Sequence, residues 1–499
     1  MNIDKRPRNS GRIFNFIRLS AADNVFVLPG GGSIGTVVEN VTLRAEIPPC
    51  HKAASEDIEM DEPILKYGRA IGYATREIKR GDWVHDHNVR SKGGVRADSV
   101  RWNGPYPHDR GKSDASFMGY RRRGGIQRPG VRNELWVIPT AGCVKGEIRY
   151  MLSLYHKPYW IDSVKFIDCL PTCEDGSETD IAGDMMIALA RNPNAAGVLL
   201  VGLECEKLPI SELHDRALAE DCNVMRAVLD KNSDDAVLRY LDDIAALSPR
   251  VKESFPISDL CVGMISAWGG YSGLTANPML GRLSDSLAAK GSAILTPGTP
   301  ELFTSGDAIS DRITSREIFE TFISKAEANA TPDIPSMTEW ENGITTQEER
   351  AMSLTPVLGE APVIGFMDCT EAAPAQAGVL ITPGGRDESV NCAFFEMGGA
   401  QIILFATAGG TPFGSLSPTI KISAATELAE ARPGWIDFDA GPILNGESID
   451  AAAARLEEYV MRVACGERTA HEKKGFGDAI MPKRIIQPRQ TFNDYNAIL

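Results

Sequence analysis

The sequence predicts an α/β multidomain protein: a small N-terminal β-domain (residues 1–90), a linker (91–130) and two further α/β domains (131–250, with a parallel sheet, and 251–499). Three observations predict it. Up to Asn88, short β-branched runs alternate with turn residues. Beyond Asn133, continuous apolar runs alternate with helical stretches, as strands buried on both faces do. The length of 499 residues, 43% of them hydrophobic, suffices for about three cores at ~150 residues each.

In the first part, residues 12–19, 25–28, 36–45, 63–66, 71–74 and 82–84 read as strands. The run Gly30-Gly31-Gly32-Ser33-Ile34-Gly35 matches a dinucleotide fingerprint, which requires a helix directly after the glycines. Residues 36–43 are β-branched, so the glycines are expected to form a hairpin turn instead. Residues 89–130, rich in Gly, Pro, Arg and Asp, read as a long linker. In the next part, 135–139, 163–167 and 197–203 are expected strands and 210–221 a helix. In the last part, strands are expected at 292–296, 378–382 and 401–407, with helices at 280–289, 315–328, 388–397 and 449–465. Ligands gather at the carboxyl ends of parallel strands. Thr140, Cys143 and Cys205 occupy two such ends, and the glycine-rich loops 268–273, 382–387 and 408–414 occupy others. Exposed N–H groups in such loops can hold a carboxylate, though each also reads as an ordinary turn. None contains Gly-Lys-Ser/Thr, so no triphosphate site is indicated.

Composition narrows the function. A net charge of −15 disfavours nucleic acid as a partner. No apolar stretch of eighteen residues and no apolar signal core at the N-terminus are present, so no membrane association and a cytoplasmic location are expected. The ten cysteines contain no Cys-x-x-Cys pair and read as reduced thiols. Between Lys66 and Arg132 lies a basic stretch that includes Arg90, Lys92, Arg96, Arg101, Arg110, Lys112 and Arg121-Arg122-Arg123. It either packs on the acidic remainder or attracts an anionic substrate.

The segment ending Trp83-Val84-His85-Asp86-His87-Asn88 carries the most chemistry. If 83–87 is extended, the period of two places Trp83, His85 and His87 on one face. Such an imidazole pair can hold a metal ion or move a proton. The same letters also describe a polar turn in which Asp86 and Asn88 bond the backbone. His51 is the nearest other histidine.

Many stretches, in one order, resemble the altronate and galactarate dehydratase family, sugar-acid hydro-lyases related to sulfolactate sulfo-lyase. They include His51-Lys52, Lys66-Tyr67-Gly68, His85-Asp86-His87-Asn88, 131–140, 202–206, 272–282, Gly343-Ile344-Thr345-Thr346, 410–414 and 435–439. The resemblance implies an N-terminal SAF-type β-domain followed by two Rossmann-like α/β domains. It also implies dehydration of a small hydroxy or sugar acid to a 2-keto-3-deoxy acid, with a divalent metal. Iron is the metal of relatives; manganese, magnesium or no metal are the alternatives here. Dehydration needs a base at the carbon beside the carboxylate and positive charge for the enediolate. His51, His85 and His87 are the catalytic candidates, with His85 and His87 as metal ligands. Lys52, Lys66, Thr140, Cys143, Cys205, Thr275, Asn277, Arg386, Asp387 and Thr411 are the substrate-binding candidates. The partner is expected to be a small anionic hydroxy acid, and the chain a homo-oligomer.

Four loops depart from the family pattern. Asp168 to Gly176 replaces a His-x-Tyr-Gly-Cys-Ser-Gln loop, keeping only Cys173; Met264 to Gly270 replaces Glu-Cys-Gly-Gly-Ser-Asp-Gly. Ser353 to Val357 replaces Gly-Cys-Thr-Gln-Lys, and Gly409 stands in place of an arginine. These losses are expected to alter one pocket, to forbid thiolate-held iron, to favour a harder cation and to change the substrate. Another C–O or C–S lyase, a hydrolase of a related acid or lactone, and a non-catalytic acid-binding paralogue remain the alternatives.

Overall fold

The computed structural model describes residues 16–91, 100–107, 113–122, 128–168, 177–232, 235–328 and 343–477. The β-domain contains β1 (Val25–Leu28), β2 (Val37–Val38), β3 (Val41–Thr42), β4 (His51–Ala54), β5 (Pro63–Lys66), β6 (Arg69–Ala74), β7 (Trp83–Val84) and β8 (Val89–Arg90). They form the antiparallel sheets β1-β4-β7 and β5-β6-β8 and the hairpin β2-β3. Alternation along β4 serves two cores. Ala53 packs with Phe26, Leu28 and Leu43, whereas Ala54 packs with Ile58, Ile64 and Val84. The glycine-rich run turns the chain into β2-β3, with no helix after it. At Gly31, φ is 72° and an added Cβ would lie 2.6 Å from the Ile47 carbonyl.

The segment expected to be a linker contributes structure. β9 (Ser116–Gly119) pairs antiparallel with β14 (Glu253–Pro256), and Phe117 is buried. Several of its cations are bound to the protein itself. Arg90 meets Asp61 and Arg121 meets Glu253, while Arg122 donates to the carbonyls of Pro193 and Arg132. Packing on the acidic remainder therefore accounts for these residues. Lys92, Arg96, Arg110, Lys112 and Arg123 lie outside the described residues.

The middle part is a parallel sheet of β10 (Glu134–Pro139), β11 (Ser163–Phe166), β12 (Ala195–Gly202) and β13 (Val224–Val228), in the order β11-β10-β12-β13. The last part has β15 (Cys261–Ile265), β16 (Ala293–Pro297), β17 (Val363–Phe366), β18 (Gly378–Thr382), β19 (Ile402–Thr407), β20 (Thr419–Ser423) and β21 (Phe438–Asp439). Its parallel order is β17-β18-β16-β15-β19-β20-β21. The strand order reverses at β15/β19, which opens a crevice at their carboxyl ends. Helices Ala276–Ala289 and Ile449–Ala464 cover one face of this sheet. Phe394 and Met397, on the helix Glu388–Met397, share a core with Trp136 and Met185 of the middle part. No helix of the described residues is long and apolar enough to cross a membrane.

Candidate active site

Cys50 enters β4 with a left-handed φ of 65°, and the alternation that follows separates His51 from Lys52. On one face, the His51 ring lies 4.8 Å from that of His85, and Trp83 lies 5.0 Å from His85 and 5.2 Å from His87. The Trp83 indole N–H donates to His51 Nδ1 at 3.1 Å, which leaves the ring proton of a neutral His51 on Nε2.

The extended path expected for 83–87 does not occur. β7 stops at Val84 and a turn follows. Asn88 closes it: its Oδ1 accepts from His85 N at 2.9 Å and its Nδ2 donates to the Trp83 carbonyl at 2.9 Å. The turn presents Asp86 Oδ1 at 2.9 Å from His85 Nδ1 and 4.0 Å from His87 Nδ1. Asn88 thus plays the polar-turn role while Asp86 faces the imidazoles. One ligand atom from each of His85, Asp86 and His87 lies within 4.8 Å of the others. His85 is buried; Asp86 and His87 reach solvent. Burial, then the charge of Arg76, pushes the His87 pKa below its usual 6.5.

The opposite face of β4 is cationic. Lys52 Nζ donates to Glu349 Oε2 at 2.8 Å and to the Gly343 carbonyl at 2.8 Å, and Lys66 Nζ donates to Glu349 Oε1 at 2.9 Å. Glu349, on the helix Gln347–Leu354, is fully buried. Burial and the charge of Lys66 bring the Lys52 pKa down to about 8, against the opposing pull of Glu349. Burial also weakens the Lys66 ammonium, but Glu349 and Tyr67 outweigh it and raise its pKa above the usual lysine value. Burial acts to raise the Glu349 pKa, and the two ammonium groups override it and hold the carboxyl well below the usual range.

Lys66 also lines a narrow cavity of about 20 Å³ with Cys50, Tyr67, Gly269, Gly270 and Ser353, room for about one water. Left-handed backbone concentrates here, at Cys50, Tyr67 (φ 61°), Gly269 (φ 70°) and Gly270 (φ 55°). For residues with side chains such backbone is uncommon and collects at functional sites. Burial pushes the Cys50 thiol up to about 11, so it stays protonated near neutrality. Two roomier cavities, about 430 Å³ each, lie beside Arg122 and Ser248 and beside Arg191 and Thr370, and no predicted site residue lines them.

Several of the other candidates bond the protein itself. Thr275 donates to the Tyr271 and Ala424 carbonyls, and Asn277 bonds both backbone groups of Ala267 and the Ser353 carbonyl. Both are fully buried, and their polar atoms hold loops. Asp387 caps the helix Glu388–Met397, and Thr411 Oγ1 accepts from Phe413 N at 3.2 Å. Arg386 Nη2 lies 3.5 Å from Glu301 Oε1, and Arg350 Nη1 3.7 Å from the same oxygen. In the middle part, Thr140 donates to Glu206 Oε1 at 2.9 Å, while Cys143 and Cys205 are exposed at the ends of β10 and β12. Glu349, Cys50, Tyr67, Glu301 and Arg350 were not anticipated from the sequence. Two of them had a signal: Glu349 the Thr346-x-x-Glu spacing of a helix start, and Tyr67 its place in Lys66-Tyr67-Gly68.

Three family descriptions match consecutive parts of the chain: "Altronate/galactarate dehydratase SAF domain" at 14–92, "D-galactarate dehydratase/Altronate hydrolase, second domain" at 119–252 and "D-galactarate/Altronate dehydratase, C-terminal" at 257–487. The chain is 30% identical to altronate dehydratase of Bacillus subtilis (strain 168) over 496 residues, 93% of this chain and 97% of the relative. It belongs to the altronate/galactarate dehydratase family. A second altronate dehydratase, from Escherichia coli (strain K12), is 30% identical over 92% of this chain and 97% of the relative. Galactarate dehydratase (L-threo-forming) of the same organism is 25% identical over 93% and 94%.

Loops in which this altronate/galactarate dehydratase family member departs from the expected pattern meet at the β15/β19 crevice. An added Cβ at Gly270 would lie 3.9 Å from Ala408 Cβ, and one at Gly273 would lie 3.3 Å from Ser353 Cβ. At Gly409, expected to stand in place of an arginine, the added Cβ meets open space. The loop at 169–176 lies outside the described residues. Among the described residues, His85, Asp86 and His87 are placed to hold a divalent cation. Two imidazoles and one carboxylate suit a borderline ion such as iron(II) better than manganese(II) or magnesium, which prefer oxygen.

Proposed function

We propose that this chain is a hydro-lyase that removes water from a small hydroxy or sugar acid to give a 2-keto-3-deoxy acid. The observation that carries this reading is the near full-length similarity to altronate dehydratases, supported by the histidine cluster of the SAF domain. We read both α/β domains as Rossmann-like, since each is an open parallel sheet with a switch point, and the domains as spanning 1–90, 131–250 and 251–499.

In the reaction, the C–H bond beside the carboxylate and the C–O bond on the next carbon break, water leaves, and the enol formed tautomerises to the ketone. A cation held by His85, Asp86 and His87 supplies positive charge for the enediolate when bound. A neutral imidazole of the His51, His85 and His87 cluster takes the proton from the carbon and passes it to the departing hydroxyl, which leaves as water, while the His51 Nε2–H, its tautomer fixed by Trp83, hydrogen-bonds the leaving oxygen. Lys66, kept protonated by Glu349, provides fixed positive charge beside the cavity. Cytoplasmic location, self-association and a substrate other than altronate or galactarate belong to the same reading.

The test incubates the purified protein, supplied with iron(II) or manganese(II), with a panel of aldonic and aldaric acids and assays 2-keto acid. Release from at least one acid is expected. No release from any acid, with metal bound, would overturn the reading.

A further inference from the structure

Tyr67 occupies a backbone position that suits other residues better. Lys66 pairs with Arg69 across β5 and β6, so Tyr67 and Gly68 are the two central residues of the hairpin turn. Their φ values are 61° and 74°. A two-residue turn with positive φ at both positions favours Asn, Asp or Gly at the first. A bulky side chain there is an outlier that persists only where its surroundings fix it, and such outliers collect at functional sites.

The Tyr67 side chain reaches across to the last α/β domain. Its ring packs on the core that holds Ala351 and Met352. An added Cβ at Gly273 would lie 2.7 Å from Tyr67 Oη, so a glycine there gives the hydroxyl its place. Lys66 Nζ lies 4.9 Å from the ring centre, and the ammonium donates to the phenol oxygen. The phenol O–H is then directed elsewhere as a donor. Burial holds the phenol above its usual pKa of 10, against the pull of Lys66, so it keeps its proton. Cys50, Tyr67, Gly269 and Gly270 are half-buried, and the rim of the one-water cavity they line with Lys66 meets solvent. Cys50 directly precedes His51, so this cavity adjoins the histidine cluster at the start of β4. An ammonium and a phenol beside a space the size of one oxygen suit the negative charge that develops on a carboxylate oxygen.

We propose that Tyr67 is a catalytic residue whose O–H, beside the Lys66 ammonium, donates to a carboxylate oxygen of the substrate as the enediolate forms. When the C–H bond breaks, its electron pair moves toward that oxygen and the hydrogen bond strengthens; no proton leaves Tyr67. The inference rests on the hydro-lyase reading and adds to it a donor for the enediolate.

The test measures kcat and KM of the metal-supplied wild type, Tyr67→Phe and Tyr67→Asn with the panel acid that gives most 2-keto acid. Thermal melting verifies that both variants are folded. Tyr67→Phe keeps the ring and loses the O–H, and its kcat falls by about 10²- to 10³-fold, the worth of one oxyanion donor. KM changes by less than about tenfold, as befits an interaction made chiefly in the transition state. Tyr67→Asn carries a residue the turn favours and loses at least as much turnover. A kcat of Tyr67→Phe within about threefold of the wild type, a loss confined to KM, or wild-type turnover in Tyr67→Asn would overturn the role of Tyr67 and leave the hydro-lyase reading standing. No keto acid from the wild type would overturn that reading, and the role of Tyr67 with it.

Discussion

His51 and Lys52 are neighbours in sequence and face opposite ways. One joins a stack with Trp83 and His85; the other is tied to Glu349, 297 residues away. The sequence marked both residues as candidates, but only strand pairing shows that they serve different faces, and contacts this distant leave no local trace. His51→Ala is expected to lower turnover by about 10²- to 10⁴-fold, the usual worth of a positioned acid or base, while thermal melting verifies that the variant is still folded. An unaltered rate constant would remove His51 from the chemistry. Glu396, fully buried with Oε2 unpartnered, gives a pH prediction. Burial raises its pKa from 4.5 to about 7. The unfolded chain therefore loses this proton first, and stability falls as pH rises from about 4.5 to 7. The full cost, on the order of 3 kcal/mol, persists above that window. Glu396→Gln should be more stable than the wild type at pH 8 and similar at pH 4, as read by denaturant titration.

At the scale of elements, β10 and β12 were legible because both of their faces are buried, and the run of apolar residues records that. β4 was not, since His-Lys-Ala-Ala has weak strand preference and is held extended by β1 and β7 on its two sides. β9 was hidden in a Gly- and Arg-rich stretch for the same reason: its strand character comes from β14. The turn after β7 decided the site. Trp83, His85 and His87 meet because Asn88 folds the chain back, not through strand alternation. Asn88→Ala should cost about 1–3 kcal/mol of stability, as unpaired buried groups do, and reduce bound iron or manganese. Full metal content by elemental analysis would show that the turn does not set the ligands.

On the scale of the whole molecule, the SAF domain is locked to the last α/β domain by a buried carboxylate. Glu349 neutralises Lys52 and Lys66 while Tyr271 donates to the Pro29 carbonyl at 3.3 Å. Removing one member of a buried ionic group leaves its partners' charge uncompensated, so Glu349→Ala should destabilise by about 3–5 kcal/mol. Limited proteolysis should then cut the variant between the SAF domain and the remainder faster than the wild type; identical cleavage rates would deny Glu349 this role. The division into a β-part and α/β parts could be read from residue periodicity. The closeness of the altered loops could not, because it depends on strand order in a sheet that reverses at β15/β19.

The most direct measurement of the central claim is 2-keto acid release from the sugar-acid panel by the metal-supplied wild type and by the His85→Ala/His87→Ala double variant, with metal content determined in both. Keto acid from the wild type and loss of both metal and product in the double variant are expected. Undiminished product from a folded double variant, or none from the metal-loaded wild type, would contradict it.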